Sequence, residues 1–520
     1  MSLVFLYQWL DLLPDNFSWE TIQNWFIYNP KNPLLFNSAL FLGLFLVFYF
    51  LYLLTLKTHR LRIAYVVVFS LFFYYKCSGI FFLLLIFSSV LDYAIAKLIY
   101  DERDQFYRKL YLVISLLVNL GLLGYFKYTN FFIDNVNLVF DADFKFQDII
   151  LPVGISFYTF QSISYVVDVY RGQEKAEHNL PKFMLYVSFF PQLVAGPIER
   201  FGKLHSQLFS DYMPRWEDVR NGARLLIYGL FLKVAVADNL ASVVDAFYAN
   251  HNAFTQAEAW LATFYFTFQV YTDFFGYSLL AQGSALMFGI HLMDNFNKPF
   301  IAKSIPEFWQ RWHISLSTWF RDYIFIPVGG NKRGPWVLAL AAMLVFFTSG
   351  LWHGANGTMI AFGVAQGFLY LFDRFVFKKL EFVGGHFHDH EGRLPLRRRL
   401  WDGFRTVKTG FFFMMTLVWF RSATMDQASE VFGMLWMPGY IGCRLDGLEG
   451  IAAPTLAHGL QIPLFLCIFL LLDLWVMKDR ADVWLGKFAT PLRWTMYAAM
   501  AVSVWVWGGA INHPFVYFQF

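Results

Sequence analysis

Charge is scarce in this chain. Of its 520 residues, 15% are Asp, Glu, Lys or Arg and 58% are hydrophobic, where a soluble protein carries about a quarter charged residues. That shortage excludes a water-soluble globular domain and leaves a single large membrane domain as the simplest reading. Cysteine is nearly absent: Cys77, Cys443 and Cys467 form an odd set without C-x-x-C spacing, so neither a disulfide framework nor a thiolate zinc site is indicated. No period of about 20–50 residues is present, which excludes a solenoid or an array. The net charge of +4 is small and sits mostly in short loops; it speaks to topology and excludes a nucleic-acid partner.

What the chain has instead is apolar runs rich in Phe, of which there are 63. Runs of about 20 apolar residues satisfy their own backbone hydrogen bonds as helices and cross the hydrocarbon core. Candidates lie at 33–56, 61–75, 80–96, 110–126, 225–236, 261–271, 336–350, 359–372, 410–420, 462–476 and 495–508. The expected fold is therefore all-α and polytopic, with roughly ten to twelve crossings, some short or re-entrant. Residues 1–33 read as an extracytoplasmic segment carrying Asp11, Asp15 and Glu20, and 34–520 as one membrane-embedded domain. The first span is too long for a signal-peptide core and lacks a small-x-small cleavage site, so it stays as an anchor.

Lys and Arg mark the inner loops. Lys57, Arg60 and Arg62 follow the first span, and Arg103, Arg108 and Lys109 the third, which places the N-terminus outside. Arg311, Arg321, Lys332 and Arg333 mark one later inner segment, and Lys378, Lys379, Arg393 and Arg397 to Arg399 mark the next. Between them a helical hairpin carries "TSGLWHGANG" at its apex, so His353 is expected toward the outer half of the bilayer. Lys478, Arg480, Lys487 and Arg493 put the final loop inside and deliver "NHPFVYFQF" to the outer face.

An ionisable side chain within an apolar hairpin is costly and is a functional-site candidate by default. A desolvated neutral imidazole at His353 can take a proton from a hydroxyl nucleophile, which suits acyl or phosphoryl transfer. Gly354 and Gly357 would let backbone approach a substrate, and Asn356 could orient the ring or donate to an oxyanion. Upstream, "SIPEFWQRWHISLSTWFRDYIF" opens on a Ser304-x-x-Glu307 capping box. Phe308, Trp312, Trp319 and Tyr323 form an aromatic stripe, and Glu307, Arg311, Ser315, Thr318 and Asp322 fall on another face, as in an amphipathic helix near an interface. His313 sits between the faces and, by itself, reads as a hydrogen-bonded interfacial histidine. The basic turn "GGNKRG" holds Lys332 and Arg333, which suit the phosphates of a donor or serve only as a positive-inside anchor. "HFHDH" (386–390) can bind metal adventitiously but reads as a solvated insertion, and no metal site is expected.

"FPQLVAGPIER", "YTDFFGYS", "DNFNKPF", "FWQRWHISLSTWFRDYIFIPVGGNKRG" and "GLWHGA" together resemble the membrane-bound O-acyltransferase family. They most resemble its bacterial branch, which includes the alginate O-acetyltransferase membrane subunit and the teichoic acid D-alanyl transferase; "LPVGISFYTFQSISYVVDVYRG" is similar to the alginate-type members. The core motifs run over 151–357, and the likeness extends from about Phe26 to the end. The resemblance implies a multi-helix fold around a tunnel, with His353 as the essential catalytic residue and His313 as the second functional one. The departures are Leu279, where many alginate-type members carry Asp, and Phe275, where Ser is common; Asp273 matches and reads as structural. The aromatic tail (513–520) resembles a C-terminus in which a tyrosine passes on the acyl group, here Tyr517. A phenol needs a base such as His353 to act as a nucleophile; the other reading of the tail is an aromatic belt anchor.

The expected activity is transfer of an acyl group, acetyl above all, from a cytoplasmic thioester to an extracytoplasmic polysaccharide. The thioester, acetyl-CoA or a carrier-bound acyl group, is a co-substrate, and no permanently bound cofactor is expected. The resemblance implies a Ser-esterase-like (SGNH) partner outside a bacterial cytoplasmic membrane. Two rival readings stand beside it: a transporter or flippase using His353 as a proton relay, and an inactive scaffold that recruits the outer partner.

Overall fold

The computed structural model describes residues 23, 25–30, 33–194, 196–210, 213–377, 396–436, 461–476, 479–507, 515 and 516. Residues 1–22, the "HFHDH" stretch and Tyr517 lie outside the described residues. Among those described, the regular structure is helical and contains no strand. Five helical runs are long and apolar enough to cross a membrane: His59–Asp101, Gln105–Phe140, Trp216–Ala249, Pro335–His353 and Gly357–Phe377. Two shorter apolar helices, Ala39–Thr55 and Ile462–Leu474, join them.

Contacts divide the chain into two compact units, each discontinuous in sequence. The first comprises Met1–Phe231, Gly276–Met293 and Ala481–Ala510; the second comprises Leu232–Phe275, Asp294–Arg480 and Ile511–Phe520. In the first unit, α1 (Ala39–Thr55) starts at Ser38, whose hydroxyl accepts from the Phe41 N–H at 3.2 Å. The 43-residue run His59–Asp101 is two helices, α2 (His59–Ser78) and α3 (Phe82–Asp101). Gly79, at φ 61°, ends α2 in a left-handed conformation that other residues resist. Next come α4 (Gln105–Leu123) and α5 (Ile155–Tyr170). Polar side chains join α3 to α4: the Ser115 hydroxyl and the Asn119 amide donate to the buried Asp92 carboxylate at 2.7 and 2.9 Å. Apolar surface brings little specificity between helices in lipid, so such bonds select the partner face.

The second unit takes in the start of α6 (Gln256–Leu286), then α7 (Ile305–Arg311), α8 (Ile314–Phe320), α9 (Pro335–His353), α10 (Gly357–Phe372) and α11 (Leu396–Arg421). α9 and α10 form a hairpin whose backbones touch. A β-carbon on Gly350 would stand 2.4 Å from the Met359 carbonyl oxygen, and one on Gly363 would stand 2.3 Å from that of Phe346. Hydrogen bonds through the buried Gln366 side chain tie α7, α10 and α11 together. The Trp309 indole donates to Gln366 at 3.1 Å, and Gln366 donates to Thr416 at 2.7 Å.

Five π turns interrupt the described helices, at Gly124–Tyr128, Phe231–Ala237, Arg321–Phe325, Asp373–Phe377 and Leu471–Val476. Each contains at least one charged residue: Lys127, Lys233, Arg321 with Asp322, Asp373 with Arg374, and Asp473. Such turns recur at functional sites.

Candidate active site

Both histidines singled out in the sequence belong to the second unit. His353 is the last residue of α9 and is 5% exposed. The chain then turns, and Asn356 starts α10 by accepting from the Met359 N–H at 2.9 Å and the Thr358 hydroxyl at 2.9 Å. The Asn356 carbonyl oxygen thus serves as the helix cap. The imidazole packs among Trp352, Phe420 and Phe362, with ring centres 5.0, 5.3 and 6.0 Å away.

His313 is fully buried at the joint between α7 and α8. The stretch expected to be one amphipathic helix is two short ones, because His313 adopts φ 43° and ψ 54°. A left-handed backbone costs a non-glycine residue about 1–2 kcal/mol, and a neighbouring segment supplies the compensation. The Ile314 N–H donates to the Asn295 carbonyl and the Asn297 N–H to the Arg311 carbonyl, each at 2.9 Å. The Ser315 hydroxyl donates to the Asn295 side chain at 2.6 Å. The expectation of an interfacial His313 is thus replaced by a core position held on both sides. The expected capping box forms in half: Ser304 accepts from the Glu307 N–H at 3.2 Å, while Glu307 accepts from Lys303 instead of Ser304, at 2.9 Å.

The His313 ring meets Phe274 edge-on at 4.6 Å and Trp352 at 5.7 Å. Trp352 therefore lies against both imidazoles. Burial, and then the neighbouring His353, push the His313 pKa well below the ordinary histidine value. The neutral form is favoured, so the ring carries one N–H donor and one acceptor. A stability consequence follows. Below about pH 6.5 the unfolded chain binds a proton that the folded chain refuses until lower pH, so His313 lowers stability as pH falls through that window. The detergent-solubilised wild type should lose more Tm between about pH 7.5 and about pH 5.5 than a His313→Gln chain does. Equal losses would refute the assignment.

A cavity of about 540 Å³ lies against the same elements. Ile314, Phe346 and Ser349 line it, together with Arg321, Asn331 and Arg374. Ser349 is one helical turn from His353, and the α9 residues that line the cavity, Ala342 to Ser349, cover about 10 Å of that helix. Arg374 donates to Asn331 at 3.1 Å. Lys332 and Arg333, which the sequence reading offered to a donor's phosphates or as a positive-inside anchor, are exposed on the turn, and neither lines the cavity.

Asp273 is buried, as its structural reading expects, with Lys233 at 2.8 Å. Lys233 also pairs with Asp238 at 2.7 Å. The second Asp273 oxygen accepts from the Val516 N–H at 2.7 Å, and Phe515 meets Phe274 at 5.5 Å. Sequence reasoning missed Lys233, Asn295, Trp352 and Arg374. A signal existed for Lys233, a lysine inside the apolar run 225–236; Trp352 and Asn295 stand in the quoted stretches "GLWHGA" and "DNFNKPF" without a role read for them, and Arg374 is brought in by tertiary structure alone.

The model of the membrane-bound O-acyltransferase family matches residues 173–384, which hold both histidines. A probable alginate O-acetylase of Pseudomonas putida is 35% identical over 435 residues, covering 79% of this chain and 84% of the relative. One of Pseudomonas aeruginosa is 42% identical over 340 residues, 64% of this chain and 65% of that protein. The peptidoglycan O-acetyltransferase of Helicobacter pylori is 36% identical over 365 residues, 64% of this chain and 69% of the relative. All-helical and multi-pass in the membrane, the chain belongs to the membrane-bound O-acyltransferase family.

Proposed function

We propose that the chain transfers an acyl group, acetyl above all, from a cytoplasmic thioester to a hydroxyl and so supplies O-acylation of an extracytoplasmic polysaccharide. The observation that carries this reading is the pair of buried histidines sharing Trp352, with a cavity leading from Arg374 and Asn331 to one turn short of His353. The acylated polymers in the relatives' names, alginate and peptidoglycan, support a polysaccharide acceptor.

In this reading the donor's phosphates meet Arg374 and Arg321, and its thioester arm follows the cavity along α9. His353 accepts the proton of the acceptor hydroxyl as its oxygen attacks the thioester carbonyl. The C–S bond breaks, and the departing thiolate takes a proton from the resulting imidazolium. His313, kept neutral by burial, donates its N–H to the carbonyl oxygen as negative charge develops there. Tyr517, outside the described residues, supplies the first accepting hydroxyl; it follows by two residues Phe515, whose ring meets Phe274 beside His313. A Ser-esterase-like partner on the outer side of a bacterial cytoplasmic membrane then passes the acyl group to the polymer.

Ester-linked acetate on surface and secreted polysaccharide tests the reading. Wild type should carry it, and both a deletion strain and a His353→Ala strain should lack it at matched membrane level; unchanged acetate in all three would sink the proposal. The donor site has its own test. Losing one charge-assisted bond to phosphate costs about 1.5–3 kcal/mol, so Arg374→Ala should raise the donor KM by roughly ten- to a hundredfold with a smaller effect on kcat. An unchanged KM would remove Arg374 from the donor site.

A further inference from the structure

The Lys233–Asp238–Asp273 cluster is larger than a structural ion pair requires. It holds two carboxylates on one ammonium, all three buried, and buried charges are kept only where their partners are held in place. Asp238 and one Asp273 oxygen share the ammonium. The other Asp273 oxygen faces a donor from a segment more than two hundred residues away in sequence, the Val516 N–H. Next to it Phe515 is fully buried and Val516 is 3% exposed. Phe274, the residue after Asp273, contacts both Phe515 and His313.

We infer that Asp273, held by Lys233, is the dock of the C-terminal segment: it fixes Val516 and, next to it, sets Phe515 against Phe274, the ring that also meets His313. The recognition is split. A main-chain N–H, which any non-proline residue offers, pairs with the carboxylate, and one aromatic side chain fills the place beside Phe274. Asp273 is thus a positioning residue that acts through the tail. Its bearing on acyl transfer rests on the reading of Tyr517 given above, whereas docking itself does not.

Asp273→Asn separates the two contacts. Asp273 offers an acceptor to each of two donors, Lys233 and the Val516 N–H. Asn has one acceptor, and its NH2 cannot face the Lys233 ammonium without repulsion, so it must turn toward Val516 and break that bond. Lys233 keeps Asp238, which leaves the helices their buried pair. Docking is read by placing the lone reactive thiol at Val516→Cys, which retains the N–H, in a chain whose Cys77, Cys443 and Cys467 are replaced by Ala. Maleimide labelling in the intact membrane protein should be slow with Asp273 and at least tenfold faster with Asp273→Asn. Equal rates would overturn the inference. Phe515→Ala, which leaves Lys233, Asp238 and Asp273 in place, should speed labelling as well and keeps the test open should Asp273→Asn fail to insert; slow labelling in that variant also overturns it.

Transfer supplies the second readout. Val516→Pro deletes the donor N–H and should cut transfer at least tenfold, whereas Val516→Ala keeps the N–H and should stay near wild type. Fast labelling in Asp273→Asn together with full transfer in Val516→Pro would keep the dock and remove Tyr517 from the reaction.

Discussion

Replacing His353 by Ala should slow acyl transfer by a factor of about 10²–10⁴, the range by which a positioned acid–base group accelerates proton transfer. The chain should reach the membrane at its normal level. The expectation rests on where the ring sits: at the end of α9, 5% exposed, among Trp352, Phe362 and Phe420. Those aromatic rings exclude water without offering a proton acceptor, so nothing in that wall substitutes for the imidazole. Removing it leaves a small apolar space, and cost to the fold is limited because Asn356 still caps α10. The measurement is thiol release from acetyl-CoA in membranes that contain the enzyme, its outer partner and the polysaccharide acceptor. Residual activity above about a tenth of wild type would mean that another group takes the proton.

Gly350→Ala should be nearly as damaging, although the residue does no chemistry. The added carbon would stand 2.4 Å from the Met359 carbonyl oxygen, a backbone atom that cannot rotate away. Relief requires α9 and α10 to separate near the apex, where His353 is three residues on. Overpacking of this kind costs about 1–3 kcal/mol in stability. A displacement of roughly 1 Å at a reacting group can cost about 10²-fold in rate. The expected pattern is a large fall in kcat, a modest fall in Tm and little change in donor KM, because the Arg374 end of the cavity is remote from the wedge. A fall in Tm with unchanged kcat would show that the hairpin's closeness does not set the position of His353.

Much of the fold was legible because lipid imposes a coarse rule. Long apolar runs become helices whatever their neighbours do, so 61–75 and 80–96 emerge as α2 and α3 with Gly79 between them. The hairpin of His353 was legible for the same reason. The RWH stretch was misread because its period is helical throughout; periodicity carries no sign of the left-handed turn at His313. That turn is set by Asn295 and Asn297, from a segment that local pattern cannot connect to it. The basic turn illustrates a similar limit. Charge pointed to Lys332 and Arg333, whereas the cavity wall takes Asn331 from that turn and Arg374 from beyond α10.

The π turns bear on how relatives of this chain are to be compared. A π turn accommodates one residue more than the α-helix it interrupts, and one residue corresponds to about 100° of rotation around a helix axis. Two relatives that differ by a single insertion at Phe231–Ala237 would keep the same hydrophobic length yet present different faces from that point onward. Alignments that forbid gaps inside helices would then pair Lys233 with a neighbour's apolar residue and record a substitution where there was a shift. The charges most in need of correct pairing, Lys233, Arg321, Asp373 and Arg374, all stand in such turns.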